Sequence, residues 1–494
     1  MRFVFSFCLV VFLYGSSFAQ QLVLPGDHPD PSVVKIGDTY WASATTSNWA
    51  PVYPLLQSKD LVNWKNRGFV FPQLPDWADY YFWAPEITYE NGKIYLYYSA
   101  HKRGGNLCVG VASADKPEGP YKDHGPLICQ EAGSIDAFPM RDENGKLFLI
   151  WKEDGNSVGK PTPIWAQELN EERTALIGEK KELFRNTLPW EGNLVEGVSM
   201  IRHNGYFYAF YAAAGCCGRG CNYVTGVARS RQLAGPWEKR NQPLLADNET
   251  WKCPGHGTPV ERDGKFYFLY HAYNQSSNVY TGRQGLLSEF RFTPDGWIEW
   301  VPQQTPALVS VDSALEDRFK TKELANNWQW SVFQKPIYTI KRNALQLRAL
   351  PAPSGAFIGQ KTYSAAYDAS VQIKLKKSSA GAGIAAIGDD NNMIRAVLQN
   401  DSIKIVQLKD GRDSVLHGTQ VKRTRNAFLK MEVRNGKDLT FFISEKGKAF
   451  TALNATPVDA AFLPPWDRAV RVGLIAEGVP DQTAVFKKFS LASR

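Results

Sequence analysis

The sequence predicts an all-β chain in two parts, a five-bladed β-propeller followed by a β-sandwich. Two observations carry that expectation. A turn-and-strand unit recurs five times in the first three hundred residues, and beyond about residue 311 it gives way to alternating strands. The composition agrees: of 494 residues 44% are hydrophobic and 13% aromatic, which excludes wholesale disorder.

The chain starts with Arg2, an apolar run from Phe3 to Tyr14, and Ser17-Phe18-Ala19. This reads as a secretory signal over residues 1–19, cleaved before Gln20. The run is too short to span a bilayer, and no later stretch reaches ~18 apolar residues. The mature protein is therefore expected to be exported, periplasmic or extracellular, with no transmembrane segment. Without Cys8, six cysteines remain: Cys108, Cys129, Cys216, Cys217, Cys221 and Cys253. An even number in an exported chain argues for disulfides, of undetermined connectivity. Zinc held by the Cys216–Cys221 loop and Cys253 is the alternative. A bridge between the neighbours Cys216 and Cys217 is disfavoured, because their Cα atoms lie closer than disulfides prefer.

The repeat comes next. Gly37, Gly92, Gly145, Gly205 and Gly264 each sit in a turn that leads into an aromatic strand, as in Asn204-Gly205-Tyr206-Phe207-Tyr208. Units of this spacing suit propeller blades, each a small antiparallel sheet. The strand before each turn is expected to line the central axis. Read back from the glycines, the units offer Asp30, Trp83-Ala84-Pro85-Glu86, Asp136, Glu196 and His256. Equivalent positions of successive blades converge, so Asp30, Asp136, Glu196 and His256 are predicted to share one site. Carboxylates are costly to bring together, since like charges raise each other's pKa. Glycoside hydrolysis uses such a set, with one carboxyl group protonating the leaving oxygen and another activating water.

The residues that carry this pattern resemble glycoside hydrolase family 43, five-bladed propellers acting on arabinose- or xylose-containing glycans. The resemblance covers residues 22–305. Gly26-Asp27-His28-Pro29-Asp30-Pro31 is similar to the family's opening motif, which implies Asp30 as general base. Ser134-Ile135-Asp136-Ala137 implies Asp136 as the residue that tunes the acid, and Val195-Glu196-Gly197 implies Glu196 as general acid. Gly255-His256-Gly257-Thr258 resembles the fifth-blade motif, so His256 either meets an axial ion, such as a structural calcium, or its waters, or is a hydrogen-bonded histidine. No cofactor is implied for the chemistry. Arg283 resembles the late-blade arginine that approaches substrate. Trp83, Phe82 and Trp190 are candidate sugar platforms, and His28 a candidate substrate contact. Ala137 and Val198 stand where the family often has proline.

The resemblance implies inversion, with the base and acid carboxyl groups about 6.5–9.5 Å apart to admit a water. The expected activity is exo-acting α-L-arabinofuranosidase on plant cell-wall side chains. β-Xylosidase, or another exo-glycosidase of the family, is the alternative within the fold. A non-catalytic glycan-binding propeller is the alternative of another class.

After Trp300, Val301-Pro302-Gln303-Gln304-Thr305-Pro306 reads as a linker. Segments such as Ala369–Leu375, Ser402–Leu408 and Phe428–Val433 alternate in the manner of a sandwich, placed over residues 311–494. Appended sandwiches of the family resemble concanavalin-like jelly rolls; some close the propeller pocket and others bind glycan. The net charge of +8 is unevenly spread. Residues 1–310 hold 29 Lys+Arg and 32 Asp+Glu, whereas residues 311–494 hold 28 and 17. No nucleic-acid motif accompanies the basic half, which suits acidic surroundings such as pectic polysaccharide or simply a solvated surface.

Overall fold

The computed structural model describes residues 20–302, 314–422 and 424–494. The signal over residues 1–19 and most of the expected linker lie outside them. Five antiparallel sheets form the first part, four of four strands and one of five. Their innermost strands are Ser32–Ile36, Ala78–Glu90, Ser134–Arg141, Val195–His203 and Trp251–Arg262, and each touches the next around a ring. Each is followed by its predicted glycine turn. The fifth blade borrows its outer strand from the start of the chain: Gln21–Leu24 pairs antiparallel with Arg283–Phe292. That pairing closes the ring and brings the segment carrying Asp30 beside Arg283. Aromatic and β-branched residues fill the space between blades, as where Phe210 stacks on Phe268 at 4.6 Å.

The second part is a sandwich of a nine-stranded and a six-stranded antiparallel sheet. Tyr367–Ile373 and Ala427–Arg434 bury every second residue, as their alternation predicts. Val371, Ile384, Met431, Leu474 and Phe486 lie in the core between the sheets. Gly381–Asp389 of the six-stranded sheet is buried on both faces. Its outer face packs against the propeller, where Trp49 sits among Ala385, Ile387, Met393 and Ile475. Trp330–Ser331 pairs with Trp49–Ala50 across the two parts. Arg471 reaches Asp27 at 3.1 Å and lies over the Trp49 ring. Among the described residues, no helix is long and apolar enough to cross a membrane.

The six cysteines form three disulfides, Cys108–Cys129, Cys216–Cys217 and Cys221–Cys253. The disfavoured vicinal bridge is present, because the other two pairings leave Cys216 and Cys217 with only each other. With every one of these thiols paired, the zinc alternative has no ligands.

Candidate active site

At the centre of the propeller, the inner strands depart from regular pairing. Register shifts fall between Ile135 and Phe138 and between Glu196 and Ser199. Asp30 and Asp136 adopt φ of +49° and +59°. Such bulges and left-handed residues re-aim a side chain that a straight strand would point elsewhere. Gly197, at φ +62°, follows Glu196, and a Cβ there would lie 2.8 Å from the His256 ring. Only glycine lets the two strands approach this closely.

The three predicted acids share a cavity of about 340 Å³, which His256, Lys152 and Trp83 also line. Asp30 is 8% exposed. Thr45 Oγ1 donates to its Oδ2 at 2.7 Å, and Arg283 Nη1 donates to its Oδ1 at 3.0 Å. Burial opposes its ionisation. The Arg283 guanidinium, followed by His271, overrides burial and holds the carboxyl well below the usual range. Asp30 is thus held as an anion at neutral pH and well below it. Thr45 Oγ1 also accepts the Ala84 N–H at 2.7 Å, which ties Asp30 to the second blade.

Asp136 Oδ2 accepts the Gly197 N–H at 2.9 Å. Its own N–H donates to Ser99 Oγ at 3.0 Å, and the Tyr53 hydroxyl donates to the Ser99 carbonyl at 2.8 Å. Burial pushes Asp136 up to about 7; the charge of Glu196 adds to this, against the pull of His256. Glu196 differs. Lys152 Nζ and the Tyr223 hydroxyl both donate to its carboxylate. Burial would raise Glu196, but the Lys152 charge outweighs it and holds the group below its ordinary value. Lys152 is 1% exposed and also donates to Asp154 at 2.7 Å. The charges therefore favour the proton on Asp136 and the anion on Glu196, the reverse of what the resemblance implies for the free site.

His256 Nδ1 lies 3.8 Å from Asp30 Oδ1. Among the described residues, no three His, Cys, Asp or Glu side chains are grouped to hold a metal. The carboxylate nearest His256 is already taken by Arg283 and Thr45, so this donor set does not fit a directly bound ion.

Arg283 is buried and holds Asp30, and its Nη2 donates to the Asp467 carbonyl at 3.1 Å. Trp83 lines the cavity, stacked on Tyr81 at 4.4 Å. Phe82 does not. Side chains alternate along a strand, so Tyr81 and Trp83 face the cavity while Phe82 is fully buried, edge-on to Tyr53. Trp190 packs on Tyr211 away from the cavity. His28 is also elsewhere: the left-handed turn at Asp30 directs that carboxylate to the axis and leaves His28 facing the sandwich, near Lys361. Glu86, the acid of the second unit, is 4% exposed and takes a hydrogen bond from Thr258, outside the cavity.

The site has further contributors. His271 Nδ1 accepts the Asp30 N–H at 3.0 Å. Burial, with Arg283 adding, brings His271 down to about 4, so it stays neutral. Lys152 had a signal, a lone cation after the apolar run Leu149-Ile150-Trp151. Trp466 and Asp467 had none, since they reach the cavity from a sandwich loop. Trp83 Nε1 donates to Asp467 Oδ2 at 3.3 Å, and Trp466 stands edge-on to Trp83 at 5.7 Å. Cys216 and Cys217 complete the rim. Larger clefts of about 680, 510 and 390 Å³ lie in the sandwich; the first two bring no two carboxylates together, and Glu316 and Asp317 line the third, where Glu316 is paired with Arg318 and Lys488.

The family model "Glycosyl hydrolases family 43" matches residues 19–298. This chain belongs to glycosyl hydrolase family 43. A second model, "Beta xylosidase C-terminal Concanavalin A-like domain", matches residues 316–473. The chain is 26% identical over 318 residues to "Xylosidase/arabinosidase 43B" of Humicola insolens, covering 60% of this chain and 57% of that protein. It is 29% identical to "Xylan 1,3-beta-xylosidase" of a Vibrio species over 51% of this chain and 49% of the relative. The chain thus spans about half of the length of these two curated relatives. A "Xylosidase/arabinosidase" of Butyrivibrio fibrisolvens is 25% identical, over 82% of this chain and 84% of its own. Among solved structures, GH43 BlXynB of Bacillus licheniformis superposes with a TM-score of 0.81 at 24% identity, covering 96% of this chain and all of that one. At that identity the likeness speaks for the shared family 43 fold, propeller and sandwich together.

Proposed function

We propose that this family 43 chain is an exported, inverting exo-glycoside hydrolase that releases single pentoses from plant cell-wall glycan side chains, with α-L-arabinofuranose as first choice. The observation that carries the reading is the 340 Å³ cavity in which an enforced carboxylate, Asp30, faces a protonatable pair, Asp136 and Glu196. The Trp466–Asp467 loop and the Cys216–Cys217 bridge wall the cavity, which suits a terminal sugar better than a continuous chain. Export is supported by three disulfides, which persist in oxidising compartments.

In this reading Asp30 takes a proton from a water as the water oxygen bonds to the anomeric carbon. The glycosidic C–O bond breaks, and Glu196 gives its proton to the departing oxygen. Arg283 keeps Asp30 ionised, and Thr45 and His271 keep it aimed. Asp136 and Glu196 share one proton below about pH 7. It must reside on Glu196 when the leaving oxygen arrives, which requires Glu196 to loosen its pair with Lys152. The match of the sandwich to a β-xylosidase C-terminal domain favours β-xylosidase as the second reading.

Aryl arabinofuranoside and xyloside, then arabinan and arabinoxylan, separate these readings by the monosaccharide released. The first anomer seen by proton NMR is expected to be inverted. A retained anomer, or no release from any pentoside by folded protein, overturns the proposal.

A further inference from the structure

A second cavity, of about 210 Å³, lies between the first blade and the sandwich, away from the acids. Its lining carries buried polar atoms with no partner. Gln329 is 1% exposed; its Oε1 accepts from Arg471 Nε at 2.8 Å, and its Nε2 is unpaired. His28 Nδ1 and Asn327 Oδ1 are also buried and unpaired. Lys361 lines the same cavity and makes no ion pair among the described residues. The nearest carboxylate, Asp27, is already engaged by Arg471 at 3.1 Å and by the Ala469 N–H at 3.2 Å. Unmade hydrogen bonds of this kind are costly, so a cavity that collects them is built for an occupant.

We propose that this interdomain cavity binds a uronic-acid residue of an acidic glycan, its carboxylate held by Lys361 and Gln329 and its ring set against Trp64 and Tyr363. Four features select this chemistry. The Lys361 ammonium and the Gln329 N–H group are donors, which suits a carboxylate. Asn327 Oδ1 is an acceptor, which an anion without hydroxyl groups leaves unused and a sugar hydroxyl satisfies. Trp64 and Tyr363 are half-buried rings in the lining, of the kind on which sugar C–H faces stack. The cavity also opens between a slightly acidic propeller and a sandwich with 28 basic and 17 acidic residues, which draws in anionic chains. Burial, with Arg471 adding, brings Lys361 down to about 7, and a carboxylate beside it would favour its charged form. The site is independent of the hydrolysis reading. It gives the chain a hold on acidic polymer apart from the catalytic cavity.

The test is calorimetric titration of the full chain with D-galacturonate and D-glucuronate, against D-galactose, D-xylose, acetate and inorganic phosphate. At least one uronate is expected to bind, and to do so more tightly than all four controls. Lys361→Met is expected to weaken it about tenfold or more, as loss of a charge-assisted hydrogen bond does. Trp64→Ala, in the lining, is expected to weaken it severalfold if folding of Lys361→Met is impaired. Neither variant should change release from an aryl pentoside. Acetate or phosphate binding as tightly as the uronate, galactose or xylose matching it, uronate binding untouched by both variants, or no binding at about 10 mM would each overturn the site.

Discussion

The inner strands of the propeller and the strands of the sandwich are built from the same antiparallel pairing but used differently. In the sandwich, Ala356–Lys361 and Gly381–Asp389 pair with Arg471–Glu477 without a register shift. The sandwich has isolated shifts as well, at Gln372/Ile373 and Ile405/Val406, but most of its left-handed residues sit in turns, such as Asn400, Asp410 and Asn435, and among the described residues none lines a cavity that gathers carboxylates. In the propeller, besides left-handed turns such as Asn91, Asn204 and Asp263 and shifts between outer strands, further shifts and left-handed residues lie inside or beside the inner strands at the cavity, at Asp30, Tyr81, Ala84, Asp136 and Gly197. Each non-glycine residue so held costs on the order of 1–3 kcal/mol. The difference teaches where each part puts its charges: regular sheets bury charges as structural pairs, while bulged strands deliver them to a cavity.

The largest expected effect tests that division directly. Asp30→Asn keeps the shape of the site but removes the carboxylate, and its amide can accept only one of the two bonds that Thr45 and Arg283 donate. It is expected to cut kcat by about 10²–10⁴-fold, the range of a lost general base, and to leave the chain folded with a smaller loss of stability than Arg395→Leu, because the amide oxygen still accepts from Arg283. Arg395 in the sandwich is the counterpart: 1% exposed, it pairs with Glu477 and, at 2.8 Å, with Asp413. Arg395→Leu should cost about 3–5 kcal/mol of stability, because it strands a partly buried Glu477, and should leave kcat as it is. Thermal melts and aryl-pentoside kinetics on both variants decide. An unfolded Asp30→Asn, or a slow but stable Arg395→Leu, breaks the comparison.

The sequence made the regular part of this picture legible, together with the phase of the irregular part. Glycine turns marked the blades, and counting back from them brought Asp30, Asp136, Glu196 and His256 to one axis, where the structure has them. Direction within a strand was less accessible. Phe82 and His28 adjoin site residues, yet one faces the core and the other the sandwich: Phe82 lies on the opposite face of its strand from Tyr81 and Trp83, and the left-handed turn at Asp30 leaves His28 turned away. Tertiary partners were invisible where they come from another part of the chain. Nothing around Trp466-Asp467 distinguishes that loop from any other proline-rich surface turn. The closing of the fifth blade by Gln21–Leu24 was likewise silent, since the strand's partner lies more than two hundred residues away.

Lys152 gives the next effect. It is a buried cation that holds Glu196 as an anion, so it sets the pH at which the Asp136–Glu196 pair gives up its proton. The pair is active when protonated, which puts the alkaline limb of kcat/KM near 7. Removing a neighbouring positive charge favours the protonated form. Lys152→Met should therefore move that limb to higher pH by about one unit, whatever it does to the plateau rate. The acid limb should not follow Asp30, whose carboxyl stays ionised far below it. A pH profile with an unmoved alkaline limb would mean that Lys152 does not face Glu196 in the working enzyme, and the contrast between paired and delivered charges would then lose its clearest case.

The smallest effect probes the place where the two regions meet. Trp466 comes from the sandwich, is 50% exposed, and stands edge-on to Trp83 and Tyr81 at 5.7 and 6.4 Å. It reaches the cavity from a loop rather than by a bulged strand, so its position is held by packing and by the neighbouring Asp467, which Trp83 and Arg283 both grip. Trp466→Ala removes one aromatic wall without stranding a buried charge. An aromatic contact is worth about 0.5–1.5 kcal/mol, so KM for a pentoside should rise about 2- to 10-fold. With Asp30 and Glu196 untouched, kcat should hold, and Trp466→Phe should recover most of the loss. If kcat falls instead with KM unchanged, the sandwich loop is helping to aim the reacting groups through Arg283. The sandwich would then act on the chemistry as well as on the grip, and the line between a structural half and a chemical half would have to be moved to include residues 466–467.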